Sequence, residues 1–515
     1  MQKISTSTAR RGLDLLRLAG TSLRLSKTEN KRVAENSRRY LAQSMGRMKG
    51  LPQKIGQLLT MAEGETAESL EGLTEDSEPL EFSIIEQILA HEWNRPWREV
   101  LLSLEPVGKA ASLGQVHKGR LHNGDEVAVK VQYPGIARAL NTDLKLLGWL
   151  SAPVGGFGQQ FDLEGYREVL LNGLEEELDY FREAENQHLY SFLSKYHHTL
   201  VIPKVYGEWS TSRVLVSSWE DGATLREIAS EWNEQDRKAA GVVFLNHVLS
   251  FFQQGIVHAD PHPGNIRFQR SAPGEVKLLL YDFGCIHRAE LPQRLAWLRL
   301  IQLAQENGTG DPFPWFVEAG FTPEYLEPLA AKLPALCRVL FEPFIIKAPY
   351  DLSNWNLGNR VSAVLGEDRW NFRIAGPPEM IYLMRLFQGL LYTLKKLNVP
   401  INWNNALAST LTHFEGQLAA IKPKFEELPA RGFSLVAKNL HVRVTRNGET
   451  RVRLTSPVHL IDSLEQVMDL EVLEELKRQA INVSDLVSQV QKSGYKAQEV
   501  FQLHDEERDV RVWLE

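Results

Sequence analysis

The stretch that most constrains this chain is "HADPHPGNIRFQRSAPGEVKLLLYDFG", residues 258–284. Two prolines and a glycine between His258 and Gly264 exclude regular helix there. Val276–Tyr281 is an apolar, β-rich run with the length of a buried strand. A fold that accepts this segment must run loop, strand, loop. Asp260, Asn265 and Asp282 then lie at the ends of a short hairpin, where they can converge on one point.

Composition bounds what that point can serve. The 515 residues are enough for two or three domains with sizeable cores. A net charge of −7 argues against a general nucleic-acid binder. Cys285 and Cys337 are the only cysteines, so neither a disulfide framework nor a cysteine-rich zinc site is available, which suits a reducing compartment. The first twenty residues lack the apolar core of a signal peptide. No run reaches the ~18 uninterrupted apolar residues of a membrane span. "GVVFLNHVLSFFQQGIV", interrupted by Asn246, His247 and two glutamines, reads as a buried core helix. These features lead us to expect a cytosolic protein.

The first sixty residues are helical in pattern and basic, with 13 Lys/Arg against 3 acids up to Lys54. Their stripe of Leu13, Leu16, Leu18 and Leu23 fits either a solvated helix or contact with an anionic membrane surface. Residues 62–79 are acidic and loop-like. Strands are expected across Val107–Val131 around an Asn123-Gly124 turn, and a strand pair across 201–219. A long charged helix is expected over 162–195, another over Asn233–Gln254, and mostly helix over 287–425. The tail reads as a small α+β module: a hairpin around Asn447-Gly448, two helices and a final strand at 508–514. The expected division is a helical extension (1–79), a sheet lobe (80–222), a helical lobe (223–425) and the module (426–515).

A small sheet lobe followed by a helical lobe, with acids on the loops between, suits phosphoryl transfer from ATP. That chemistry asks a protein mainly for positioning and charge neutralisation around a triphosphate and Mg2+. Asp282 in "DFG" and Asn265 supply the oxygens Mg2+ prefers, and Asp260 stands where an acceptor oxygen would approach. Lys130 ends the strand "VAVK" and can reach the phosphates, with Glu183 as the carboxylate that holds it. Each motif alone is weak, since a lone DFG or VAVK is ordinary sequence. Together they occur in kinase order with kinase-like spacing. His258 and His262 flank Asp260 without a standard zinc spacing.

With those motifs in view, the chain resembles the UbiB-like atypical kinases (the aarF-domain kinases) over about residues 50–400. "KIGQ" (Lys54 to Gln57) matches the family's KxGQ motif. "KAASLGQVH" (Lys109 to His117) matches its alanine-rich loop, and "ELDYFREA" its ExD element with Glu177 and Asp179. The resemblance implies an α+β, atypical protein-kinase-like two-lobe fold, with an N-terminal helical KxGQ extension and the small C-terminal α+β module. It implies nucleotide contacts at Ala110, Ala111, Ser112 and Lys130, with metal contacts at Asn265 and Asp282. It also implies a regulatory cover in which Lys54 and Gln57 pack over the cleft and Lys54 meets Glu177 and Asp179. On a continuous helix Asp179 and Glu183 share a face, and Glu177 is turned away from Glu183. The usual catalytic-loop arginine is Ala259, and no APE-like motif follows DFG, so a platform for peptide substrates is not expected.

The expected function is ATP hydrolysis, or phosphoryl transfer to a small or lipid-linked acceptor, with ATP and Mg2+ as cofactors. The resemblance adds a role in isoprenoid-quinone (ubiquinone-like) metabolism and possible peripheral contact with an anionic membrane; no nucleic-acid partner is expected. Two alternatives stand beside it: a nucleotide-gated binding protein without turnover, and a small-molecule kinase resembling the aminoglycoside phosphotransferases.

Overall fold

A computed structural model describes residues 79–140 apart from Ser112, residue 173, residues 176–195, 198–306 and 310–423, and, with short gaps, 439–515. The expected basic helices, with Lys54 and Gln57, lie outside the described residues, as does Ser112. The described residues up to Leu298, with Phe341–Asn356 and Pro378–Ala419, form one compact unit. Arg299–Leu340, Leu357–Pro377 and the described residues from Ala420 onward form a second.

The first unit opens with α1 (Phe82–Trp93), a helix absent from the sequence reading. Its Ile85, Leu89 and Trp93 repeat every four residues and are buried in one core with the sheet residues Val127, Val129 and Val131. Each such side chain stabilises the lobe by about 1.5–3 kcal/mol. The sheet contains β1 (Leu101–Leu104), β2 (Lys109–Ala110), β3 (Gly114–Leu121), β4 (Glu126–Gln132) and β6 (Val214–Ser218), in the order β1-β3-β4-β6 with β2 beside β3. The hairpin of β3 and β4 closes through Asn123-Gly124, as its sequence requires. Helix α2 (Tyr180–Ser194) lies in the same unit.

The strand pair expected across 201–219 shrinks to one antiparallel bridge, Val205 to Ser217, with Tyr206 N donating to Val216 O at 2.8 Å and Ser218 N to Lys204 O at 2.7 Å. β5 (Leu200–Val201) pairs in parallel with the later strand β9 (Glu275–Leu280), and β6 pairs with β4. Pro203 cannot donate to a ladder, so β5 ends after two residues. Its carbonyl accepts instead from Gln187 Nε2 at 2.6 Å.

The helical lobe follows with α3 (Leu225–Glu231) and α4 (Glu234–Gln254). Asn233 caps α4 and Gly255 ends it, and Val243, Phe244, Leu245, Leu249 and Phe251 are buried, as a core helix requires. The opening motif then folds as β7 (Ile256–His258), a loop, β8 (Ile266–Ala272), β9 (Glu275–Leu280) and β10 (Ile286–Arg288). β7 pairs with β10 and β8 with β9, both antiparallel. Helix α5 (Leu291–Gln305) and a series of helices follow, including α6 (Met380–Leu397) in the first unit. Both lobes together are an atypical kinase-like two-lobe fold. Among the described residues no helix is long and apolar enough to cross a membrane.

The C-terminal part is an α+β module. Its sheet runs β12 (Glu449–Pro457), β11 (Asn439–Arg446), β14 (Arg508–Leu514) and β13 (Gln498–His504). The sequence reading missed β13, whose residues pair along β14. Helices α7 (Leu470–Arg478) and α8 (Val483–Lys492) pack Val472, Leu476, Val483 and Val490 into one core with the sheet.

His287 on β10 is buried between Phe251 and Tyr382, with ring centroids 5.7 and 5.8 Å away. Burial lowers its pKa from 6.5 to about 4, against a smaller upward pull from Glu379. Below pH 6.5 the unfolded imidazole takes up a proton that the folded one refuses until about pH 4, so acid favours unfolding through this group. Denaturant titrations of the wild type and His287→Phe are expected to diverge as pH falls from 6.5 to 4. The wild type should lose about 1.4 kcal/mol more per pH unit. Parallel pH profiles would show that His287 is not the responsible group.

Candidate functional site

Lys130 projects from β4, and its Nζ lies 2.7 and 2.8 Å from the two carboxylate oxygens of Glu183 and 3.2 Å from Asp282 Oδ2. One ammonium therefore joins the sheet, α2 and the turn after β9. Burial alone would lower the Lys130 pKa, but the carboxylates of Asp282 and Glu183 more than offset it and hold the side chain protonated. The Tyr180 ring lies 5.1 Å from the same Nζ.

Helix α2 is positioned by its own start. Asp179 is the N-cap, extended in backbone, and its Oδ1 accepts from Phe181 N at 3.0 Å. The continuous helix expected through Glu177, Asp179 and Glu183 is therefore interrupted. Asp179 spends its carboxylate on the cap rather than sharing a helical face with Glu183. Glu177, expected to be turned away from Glu183, instead lines a cleft with Ala111, Leu113, Lys130, Tyr180 and Asp282. Gly284 makes this approach possible: a Cβ there would lie 3.2 Å from both Glu177 Cγ and Asp282 Oδ1.

The acids of the opening motif are held by backbone and by one imidazole. Ala259 N donates to Cys285 O at 3.0 Å, and Tyr281 N donates to Asn265 O at 2.9 Å. His258 Nε2 lies 2.9 Å from Tyr281 O and 2.8 Å from Asp282 O, so the Nε2–H tautomer ties the two loops together. Phe283 packs edge-on against His258 at 5.4 Å, and its carbonyl accepts from Asn186 Nδ2 of α2 at 2.9 Å. Asp282 adopts φ +56°, a left-handed conformation that aspartate tolerates better than most residues. Asn265 Nδ2 donates to Asp260 O at 3.3 Å, and His262 Nδ1 caps the following turn through Gly264 N.

Ala110 pairs with Gln115 across β2 and β3, and Ala111 N donates to Gly114 O at 2.8 Å. The alanine loop is thus a tight hairpin tip that uses the Ala111 donor internally.

One residue that sequence reasoning missed is Arg385 on α6. Its Nη2 lies 2.7 Å from Asp260 Oδ1, and Nη1 lies 3.8 Å from Cys285 Sγ. Burial would lower this guanidinium's pKa, and Asp260 more than offsets it. Four residues on, Gly389 faces Pro261 so closely that a Cβ would collide with the proline ring. No local signal marks it, because the helix also carries Gln388, Lys395 and Lys396 and the partner acid is 125 residues away.

Residues 72–309 match the family described as ABC1 atypical kinase-like domain. An uncharacterised chloroplastic aarF domain-containing protein kinase of Arabidopsis thaliana is 32% identical over 320 residues, 61% of this chain and 43% of the relative. AarF domain-containing protein kinase 1 of Gallus gallus is 28% identical over 306 residues, 55% of this chain and 58% of the relative. The mitochondrial atypical kinase coq-8 of Caenorhabditis elegans is 24% identical over 384 residues, 73% of this chain and 51% of the relative. The chain spans about half the length of the curated relatives it matches. A Mycobacterium tuberculosis protein solved in complex with erythromycin is 24% identical, with a TM-score of 0.49 over 73% of this chain and 96% of that one.

Removing one partner of a buried ion pair costs more than replacing both with apolar groups. Glu183→Ala is therefore expected to lower unfolding free energy by about 3–5 kcal/mol. The double variant Lys130→Met/Glu183→Leu should lose less than that single variant. Denaturant titration of the set checks this; additive losses would mean that the contact is not energetically coupled.

Proposed function

We propose, from the match of residues 72–309 to the ABC1 atypical kinase-like domain, a Mg2+-dependent ATP site in the cleft between Lys130 and Asp282. The site hydrolyses ATP, or transfers its γ-phosphoryl group to a small or lipid-linked acceptor. The observation that carries this reading is the ammonium of Lys130 held between Glu183 and Asp282. That contact orients a phosphate-binding cation at the edge of the acidic turn where a metal would be held.

The donor set fits the ions. Asp282 offers carboxylate oxygens, and Asn265 keeps its carboxamide oxygen available while its nitrogen is engaged by Asp260 O. Hard oxygens of this kind suit Mg2+, which when bound supplies neutralisation of phosphate charge. Lys130 binds the phosphates, Glu183 fixes its direction, and Asp260 orients the attacking oxygen and receives its proton. Arg385 acts through Asp260, holding its carboxylate in place. Ala110, Ala111 and Ser112 form the loop over the phosphates; Lys54, Gln57, Glu177 and Asp179 belong to the regulatory cover. The division at 79, 222 and 425 separates extension, lobes and module.

The acceptor's link to isoprenoid-quinone metabolism rests on the family resemblance, and a peripheral place at an anionic membrane rests on the basic N-terminal stripe. One observation favours a second reading, a nucleotide-gated protein without turnover. Asp260 already meets Arg385 at 2.7 Å, and a carboxylate so paired is a weaker base.

Two variants separate these readings. Asp282→Asn is expected to abolish the rise in Tm that Mg-ATP gives the wild type; an undiminished rise would remove Asp282 from the site. Asp260→Asn is expected to keep that rise while slowing release or transfer of γ-phosphate by about 10²–10⁴-fold. A wild type that binds Mg-ATP without consuming it would establish the gated reading.

A further inference from the structure

Among the described residues, one face and one edge of the C-terminal module's sheet lie away from the helices that form its core. Leu440, Val510, Val512 and Leu514 point to the face that α7 and α8 cover. The opposite face carries His441 and Arg443 on β11, Arg511 and Trp513 on β14, and Arg453 and Thr455 on β12. Register places Arg453 beside Arg443, and Arg443 beside Arg511, so three arginines cross three adjacent strands in one row. Like charges directly opposite on a sheet destabilise it. At Arg511 that repulsion is offset by Glu499 and by the Trp513 ring.

The acids of this face do not relieve the β12 side. Glu499 pairs with Arg511 at 2.7 Å, and Asp509 accepts from Gln502 at 3.1 Å. Glu515 lies 3.2 Å from Trp513 Nε1 and 3.9 Å from His441. All three belong to β13, β14 or the chain end. The faces of Trp513 are also engaged: His441 stacks on it at 5.0 Å, and the guanidiniums of Arg511 and Arg443 lie 5.4 and 6.0 Å from its centroid. The ring thus supports cations and is not a free stacking platform for bases.

β12 is an edge strand, with no strand beyond it among the described residues. Residues 451–455 are all exposed. Val452 and Leu454 on its other face are 48% and 52% exposed, because the helices do not cover this edge. The strand therefore presents Arg453 on one face and Val452 and Leu454 on the other, at the outer edge of the sheet among the described residues.

We propose that β12 is a docking edge for an extended peptide of alternating acidic and apolar residues, which adds to the sheet as a fifth strand. Main-chain hydrogen bonds hold the peptide, its acids meet Arg453 and Arg443, and its apolar residues cover Val452 and Leu454. A second copy of β12 is a poor occupant, since it would set arginines against arginines.

The test uses the full chain and labelled peptides of about eight residues: alternating Glu-Val, alternating Lys-Val, and alternating Glu-Ser. Glu-Val is expected to bind at least about tenfold more tightly than either other peptide. Arg453→Glu, checked for folding by circular dichroism, should weaken Glu-Val about tenfold and strengthen Lys-Val. Leu454→Ser should weaken Glu-Val and leave the preference over Lys-Val intact. Equal binding of Glu-Val and Lys-Val, or an unchanged ratio in Arg453→Glu, would overturn the proposal and leave the arginines as guards of the edge. Binding to phosphatidylglycerol vesicles or to single-stranded RNA, lost in Arg453→Glu and without Glu-Val binding, would overturn it in favour of those partners.

Discussion

One buried ammonium organises the first unit. Lys130 belongs to β4, Glu183 to α2 and Asp282 to the turn after β9, and the three meet within 3.2 Å. A charge in such surroundings is tolerated only when it is paired and hydrogen-bonded. The sheet, the helix and the acidic turn are therefore obliged to stay in register with one another. Other contacts follow the same lines: Asp179 fixes where α2 begins, and Asn186 fastens that helix to the carbonyl of Phe283.

The second acid of the site has a separate support. Asp260 is held by Arg385 from α6, and Gly389 lets that helix come close enough to make the contact. Two cations on two different elements thus divide the acids between them, Lys130 with Asp282 and Arg385 with Asp260. Each pairing neutralises charge inside the cleft. Under the proposed function, a nucleotide entering there would compete with contacts the protein already makes.

Much of this was readable in the sequence, because strand ends, turn residues and the spacing of acids are local signals. Lys130, Glu183, Asp260, Asn265 and Asp282 fall on the element types their neighbours dictate. Arg385 was not readable, since its partner lies 125 residues away and nothing local marks a helix position as facing a loop. Asp179 misled because helical spacing was extended through a residue that ends a turn and caps a helix. The pairing of β5 with β9 was hidden because two residues carry no period, and β13 because its alternation is broken by a bulge between Glu499 and Phe501. The KxGQ segment and Ser112 fall outside the described residues, so the regulatory cover stands on resemblance.

The imidazole of His258 has a dynamic corollary. It spans the carbonyls of Tyr281 and Asp282 from a strand whose next residues carry Asp260. The amide of Ala259, bonded to Cys285, and that of Tyr281, bonded to Asn265, are therefore sealed by the same side chain. In hydrogen-exchange terms, the two loops are expected to open as one cooperative unit.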